Sequence, residues 1–189
     1  MPSRAMAEDT RPLTELESCV LAVIWRNAPC SAYAVQKVFA ASLTPEWSSS
    51  AGSIYPVLRR LLALALVAHE QEAWGRSTKA VYRPTGEGEA AVRRWISELG
   101  AAALTAPPDP VRTRAFFLDA LSPAERLDAL RAALQATETA LTGARRSVQE
   151  VAGNGPVDEL AQLGLVFQLE GRRAWLEQMA SRLGPATEI

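Results

Sequence analysis

The feature that most constrains this fold is a change in the spacing of apolar residues near residue 66. Before it, four apolar side chains recur at the i, i+4, i+7, i+8 spacing of one helix face: Ile54, Leu58, Leu61 and Leu62. After it, residues 67–72 and 79–84 form two short extended runs around a polar segment that contains Gly75. Two such runs joined by a glycine-containing tip predict a β-hairpin.

Two further helices are predicted upstream of this helix and hairpin. Thr14 and Glu17 have the spacing of a capping box, which opens a helix by satisfying two backbone N–H groups. Ser31 is a suitable N-cap for a second, shorter helix. Three helices followed by a two-stranded hairpin have the order of a winged helix-turn-helix, and a fourth helix is predicted over residues 89–99. In that module the third helix enters the DNA major groove and the hairpin contacts the backbone or minor groove.

A proline-containing linker separates this module from a second, helical segment. Ser122 and Glu125 form another capping box with Pro123 at the first helical position, and residues 153–156 break the chain before a last helix. The predicted organisation is a flexible tail over residues 1–12, a winged-helix DNA-binding domain over 13–100, a linker over 101–112 and a helical domain over 113–184.

Charge is unevenly distributed along a chain whose formal net charge is −1. Residues 26–94 carry nine basic and five acidic side chains, whereas residues 101–189 carry nine basic and eleven acidic ones. Basic charge is therefore concentrated in the predicted DNA-binding module.

Several functional classes are not expected for this sequence. It has no apolar run long enough for a membrane helix and no secretory h-region at its start, so we expect a cytoplasmic protein without a membrane partner. Cys19 and Cys30 lack zinc or redox spacing, and His69 is the single histidine, so no metal or cofactor is expected. Because no nucleophile–base pair or glycine-rich phosphate loop is present, we expect no enzymatic activity.

The DNA-contacting candidates lie on the third predicted helix and the wing. Ser50 and Ser53 supply hydroxyl groups near the helix start, and Arg59 and Arg60 are expected on the side away from Leu58. Further candidates lie on the helix flank, at the wing and on the second helix: Tyr55, Arg76, Lys79 and Tyr33. The alternatives are that Tyr55 plugs the contact between helix and wing, and that both arginines are solvated surface residues.

These segments resemble the PadR family of bacterial transcriptional regulators. The most specific stretches are Gly-Ser-Ile-Tyr-Pro-Val-Leu-Arg-Arg-Leu at residues 52–61 and Tyr-Arg-Pro-Thr-Gly-Glu-Gly at residues 82–88, within a resemblance that covers residues 13–99. The helical segment is similar in plan to a longer subclass with a C-terminal dimerisation domain. The implied fold class is mainly α with a small β-hairpin, a winged helix-turn-helix domain plus a C-terminal antiparallel helical dimerisation domain.

The resemblance also implies partners and an effector site. It implies a homodimer that binds a palindromic operator in double-stranded DNA, as a repressor relieved by a small-molecule effector. In some family members an aromatic residue on the fourth helix lines a drug pocket, which makes Trp95 the first effector-pocket candidate and Trp25 the second. Plain packing remains the alternative for Trp95. A winged-helix protein-interaction module without direct DNA binding remains the alternative function.

Overall fold

The N-terminal unit consists of helices and one hairpin, as the sequence predicts. The computed structural model describes residues 11–42, 47, 52–74, 77–100 and 109–183. At residues 73, 74, 77 and 78 only the backbone is described. The chain divides into two units, residues 1–106 and 107–189. The elements of the first unit are α1 (Glu15–Asn27), α2 (Ala32–Ala40), α3 (Ile54–Ala63), β1 (Val67–Trp74), β2 (Ser77–Pro84) and α4 (Gly86–Ser97).

Side-chain caps fix where α1 and α2 begin. The Thr14 hydroxyl accepts a hydrogen bond from the Glu17 N–H at 3.3 Å, while the Glu17 carboxylate accepts from the Thr14 N–H at 2.8 Å. The Ser31 hydroxyl accepts from the Ala34 N–H at 3.2 Å. Both predicted caps are confirmed, because each satisfies backbone donors that have no partner within the helix.

The core of this unit lies between the inner faces of α1, α2 and α3. Its largest fully buried side chains are Phe39, Leu21, Ile24, Ile54, Leu58 and Leu61. Trp47 stacks on Phe39 with ring centroids 4.8 Å apart. Cys19 and Cys30 are free and buried, and burial raises the pKa of the Cys19 thiol to about 12 and also raises that of Cys30. Neither thiol is therefore a reactive thiolate near neutral pH.

The hairpin is longer than its sequence pattern predicts. β1 and β2 pair antiparallel from Val67 opposite Pro84 to Trp74 opposite Ser77, so each strand extends two residues further toward the tip. Backbone pairing continues there although the polar composition of residues 73–78 is typical of a turn. At the base, Cys30 and Tyr82 exchange two backbone hydrogen bonds of 3.2 and 2.8 Å, which fix the hairpin to the α1–α2 connection.

The start of α4 also differs from the prediction. The helix begins at Gly86 rather than at residue 89, because the Thr85 hydroxyl accepts a hydrogen bond from the Gly88 N–H at 3.1 Å and caps the helix early. The same hydroxyl donates to the Ala65 carbonyl at 2.8 Å. Gly88 packs so closely on the backbone carbonyl of Leu66 that a Cβ atom would overlap it. Gly86 and Gly88 thus belong to the first helical turn, although glycine pairs are typical of turns.

The C-terminal unit is a helical hairpin preceded by a short segment. Its elements are α5 (Pro110–Ala115), a 3₁₀ turn (Leu118–Ala120), α6 (Pro123–Val151) and α7 (Pro156–Leu183). The Ser122–Glu125 capping box is present as predicted, whereas α5 begins inside the predicted linker, with Asp109 as its N-cap. The ion pairs Arg145–Glu170 and Arg173–Glu138 show that α6 and α7 are antiparallel. The fold class, a winged helix with a C-terminal helical region, is confirmed.

Candidate nucleic-acid interface

The outer face of α3 presents the first group of candidate DNA-contacting side chains. Ile54, Leu58 and Leu61 are buried against the core, whereas Tyr55 is 54% exposed and Arg59 is exposed. Tyr55 and Arg59 are four residues apart and therefore share one side of the helix. Ser53, at the N-cap, is exposed and makes no capping hydrogen bond with its side chain. The helix thus offers an aromatic ring, a guanidinium and a hydroxyl to solvent.

Arg60 turns away from this face and toward α1. Its Nε lies 2.9 Å from a Glu17 carboxylate oxygen and its side chain is only 13% exposed. Its terminal N–H donates to the Arg11 carbonyl at 3.1 Å. The sequence pattern places Arg59 and Arg60 together on an outer surface, but the structure separates them because Arg60 flanks the buried stripe of α3.

Glu17 is the centre of this contact and was missed as a site residue by the sequence reasoning. Its carboxylate accepts two hydrogen bonds from the Arg11 guanidinium, at 2.6 and 2.8 Å, in addition to the Arg60 ion pair. The Arg11 hydrogen bonds are the largest cause that holds the Glu17 pKa down at about 2, against the opposing effect of burial. The sequence feature that indicates Glu17 is its helical spacing from Leu13, Leu21 and Ile24. This spacing places the Glu17 carboxylate on the apolar face of α1.

We expect Glu17→Gln to destabilise the winged-helix unit by about 2 kcal/mol at neutral pH, because Arg60 loses its charged partner in a mostly buried site. The pKa of Glu17 is lowered from 4.5 to about 2 on folding. Its contribution to stability is therefore complete above pH 4.5 and is lost as the pH falls toward 2. Thermal melts at several pH values should show the variant and the parent converging in acid. Glu98→Gln, at the exposed end of α4, is the matched control and should leave the profile unchanged.

The wing and α2 carry the second group of candidates. Lys79 is partly exposed, and its Nζ lies 3.3 Å from a Glu72 carboxylate oxygen on the facing strand. Tyr33, on α2, is 69% exposed. Burial raises the pKa of the Tyr82 hydroxyl, and electrostatic interaction with Tyr55 raises it further. The predicted candidates Ser50 and Arg76 lie outside the described residues.

Trp95 lies in a groove of the winged-helix unit. Its indole N–H donates to a Glu15 carboxylate oxygen at 3.0 Å, and the ring is half-buried. The groove has a volume of about 410 Å³ and is bounded by the segment before α1, the turn after α3, and α4. Most of the residues that line it are uncharged, and three are charged. Apart from Trp95, the lining consists of Arg11, Pro12, Leu13, Ser18, Leu64, Leu66, Ala91, Arg94 and Glu98. Trp25, the second candidate, is 48% exposed on the outer side of α1 and is not part of this groove.

Residues 20–94 match the model of the Transcriptional regulator PadR-like family. The winged-helix unit belongs to this PadR-like family. The family is one of transcriptional regulators rather than of enzymes. Within the described part of the chain, no three metal-binding side chains gather into a group, and no helix has the length and apolarity needed to cross a bilayer.

Solved structures extend the likeness beyond the PadR-like unit to most of the chain. PadR from Bacillus subtilis in complex with operator DNA matches with a TM-score of 0.79 and 20% identity, over 92% of this chain and 99% of that one. PadR from Bacillus subtilis in complex with p-coumaric acid gives 0.76 and 20%, over 90% and 99%. The PadR-like transcriptional regulator BC1756 from Bacillus cereus gives 0.72 and 17%, over 92% and 98%. At such identities these matches establish the fold. No curated protein matches the chain by sequence.

Proposed function

We propose that this transcriptional regulator binds a palindromic operator in double-stranded DNA as a homodimer and acts as a repressor. The observation that carries the proposal is the outer face of α3, where Tyr55 and Arg59 are exposed while the opposite face is buried in the core. A helix held in this way projects polar side chains from a rigid support, as a recognition helix must. The operator complex of Bacillus subtilis PadR, built on the same fold, supports this assignment.

The candidate residues take different roles in this proposal. Ser53, Tyr55 and Arg59 contact base edges and phosphates in the major groove. Lys79 contacts phosphate from the wing after exchanging its Glu72 partner for the DNA backbone. The remaining candidates, Tyr33, Ser50 and Arg76, also contact the DNA backbone. Arg60 serves the interface by fixing α3 to Glu17 of α1, which changes its role from DNA contact to positioning.

The homodimer forms through the helical unit in this proposal, with residues 113–184 as the dimerisation domain and residues 13–100 as the DNA-binding domain. Large apolar side chains of the helical unit are exposed in the single chain: Phe116, Phe117, Val157, Leu160 and Phe167. Exposed apolar surface of this kind is typical of protein interfaces. A two-fold dimer presents two copies of α3 to half-sites one helical turn apart, which is why the operator is expected to be palindromic.

The groove beside Trp95 is the proposed site of a small-molecule effector, and Trp25 stays a second candidate on the same unit. The p-coumaric acid complex of Bacillus subtilis PadR supports the existence of an effector, and the groove is large enough for one. An effector changes operator affinity only by binding the DNA-competent and the released arrangement with different affinities. The protein acts in the cytoplasm, and the proposal includes no metal or other cofactor.

A salt titration of binding to the DNA upstream of its own coding sequence tests the proposal. We expect log K to fall linearly with log salt concentration, with a slope near −0.9 per phosphate contact. We also expect specific DNA to bind about a thousandfold or more tightly than scrambled DNA of the same length. Weak binding without salt dependence would instead favour a winged-helix protein-interaction module that does not bind DNA directly.

A further inference from the structure

The C-terminal unit contains a cavity beneath a segment that we call the strap, residues 109–121. The cavity has a volume of about 160 Å³ and lies between the strap, α6 and α7. It is separate from the Trp95 groove, which belongs wholly to the winged-helix unit. The residues around it are Val111, Arg114, Ala115, Leu118, Ala129, Leu130, Ala133, Trp175, Leu176 and Met179.

The strap is attached to the helical hairpin at both ends by hydrogen bonds. At its start, the Asp109 carboxylate accepts a hydrogen bond from the Arg172 guanidinium of α7 at 3.0 Å. At its end, Arg126 of α6 donates from Nε to the carbonyls of Leu118 and Leu121 at 2.9 and 3.0 Å. Between these two attachments, three alanines line the cavity: Ala115 of the strap and Ala129 and Ala133 of α6. These side chains are too small to fill the space.

The walls are almost wholly apolar and favour an apolar occupant. Arg114 is the only charged residue of the lining, and its guanidinium donates to the Pro110 carbonyl of its own helix at 3.4 Å. An enclosed apolar cavity of about 150 Å³ accepts benzene, so a space of this volume is large enough for one aromatic ring. Arg114 and Ala129 are exposed, so the cavity is open to solvent on that side. Leu176 is fully buried and Leu130 is buried, so the floor of the cavity is hydrocarbon.

We propose that the strap cavity binds a compact, neutral, apolar molecule no larger than a single substituted aromatic ring. A bound molecule provides dispersion contacts that the wall atoms lack when the cavity is empty. Its binding requires no desolvation of a charged group. This inference stands independently of the proposed DNA-binding function. Met179 and Trp175 lie in the wall and contact such a ring, so they report its binding.

The test uses the full chain with ¹³C-labelled methionine methyl groups and benzene as the probe. The chain has three methionines, Met1, Met6 and Met179, and Met179→Leu assigns the resonance of interest. We expect the Met179 methyl resonance to shift saturably with benzene. Ala133→Leu fills the cavity and should weaken binding at least tenfold. Ala132→Leu, on the exposed side of α6 one residue away, should stay within twofold of the parent.

The outcomes separate this proposal from an already occupied or collapsed cavity. If Ala133→Leu unfolds the protein, Ala129→Leu, one helical turn away in the same wall, decides the question instead. A Met179 methyl resonance that benzene does not shift means that the cavity is closed in solution or filled by a side chain from elsewhere in the assembly, and overturns the proposal. Undiminished binding in both folded leucine variants places benzene at another site and also overturns it.

Discussion

Replacement of Tyr55 and Arg59 together with alanine is expected to weaken operator binding roughly a hundredfold or more, since each contact to a base or phosphate contributes about 1–3 kcal/mol. Both side chains are exposed on the outer face of α3, so their removal leaves the core intact. The thermal midpoint should therefore change by no more than a few degrees. A fluorescence-anisotropy titration at fixed salt concentration measures the loss, and a melting curve of the same sample confirms the fold.

The control for charge is Arg146→Ala, an exposed arginine of the C-terminal unit. It removes the same charge as Arg59→Ala but leaves α3 unchanged, so operator affinity should stay within about twofold of the parent, because long-range charge effects are screened. Tyr55→Phe separates loss of the ring from loss of the hydroxyl. Parental operator affinity in the folded double variant would show that α3 is not the recognition helix.

Gly88→Ala should be the most destabilising single substitution proposed for the winged-helix unit, at about 3 kcal/mol. The added Cβ would overlap the Leu66 backbone carbonyl. That carbonyl cannot easily move, since it accepts a hydrogen bond from the Thr85 N–H at 3.0 Å. A loss of this size corresponds to a decrease of roughly 10–20 °C in the midpoint of a unit of about 100 residues. Differential scanning calorimetry measures it directly.

Gly86→Ala, two residues earlier in the same helical turn, is the matched control. A Cβ at Gly86 meets no atom within 4 Å, so the substitution should be neutral or should stabilise the helix by up to about 1 kcal/mol. The two glycines are therefore expected to differ in the sign as well as the size of the effect. Equal tolerance at both positions would mean that α4 shifts away from the turn after α3.

Local chemistry made the helix starts predictable from sequence. Thr14, Ser31 and Ser122 cap helices through atoms only a few residues away, so their spacing along the chain is enough to identify them. The predicted start of α4 is too late although Thr85 caps the helix locally, because glycines such as Gly86 and Gly88 are typical of turns. The close packing of Gly88 on Leu66, about twenty residues away, is a tertiary contact. Patterns of nearby residues do not report such tertiary contacts.

The candidate interface shows the same division between local and tertiary information. The helical period predicted that Tyr55 and Arg59 lie away from the buried stripe. It did not predict that Arg60 pairs with Glu17, since that ion pair joins residues 43 positions apart. Sequence alone also gave no sign of the cavity beneath the strap, which depends on how three helical segments meet. The DNA-contacting roles of these residues remain predictions.

Internal pairing of basic side chains has a consequence for how such a protein would search a genome. Arg60 is paired with Glu17 and Lys79 with Glu72, so two of the cations near the interface already have carboxylate partners before DNA arrives. Non-specific affinity depends on how many unpaired cations meet phosphates. On the proposed function, such a protein leaves wrong sites quickly at ordinary salt concentrations. It then stays bound only where Tyr55 and Arg59 meet a matching base sequence.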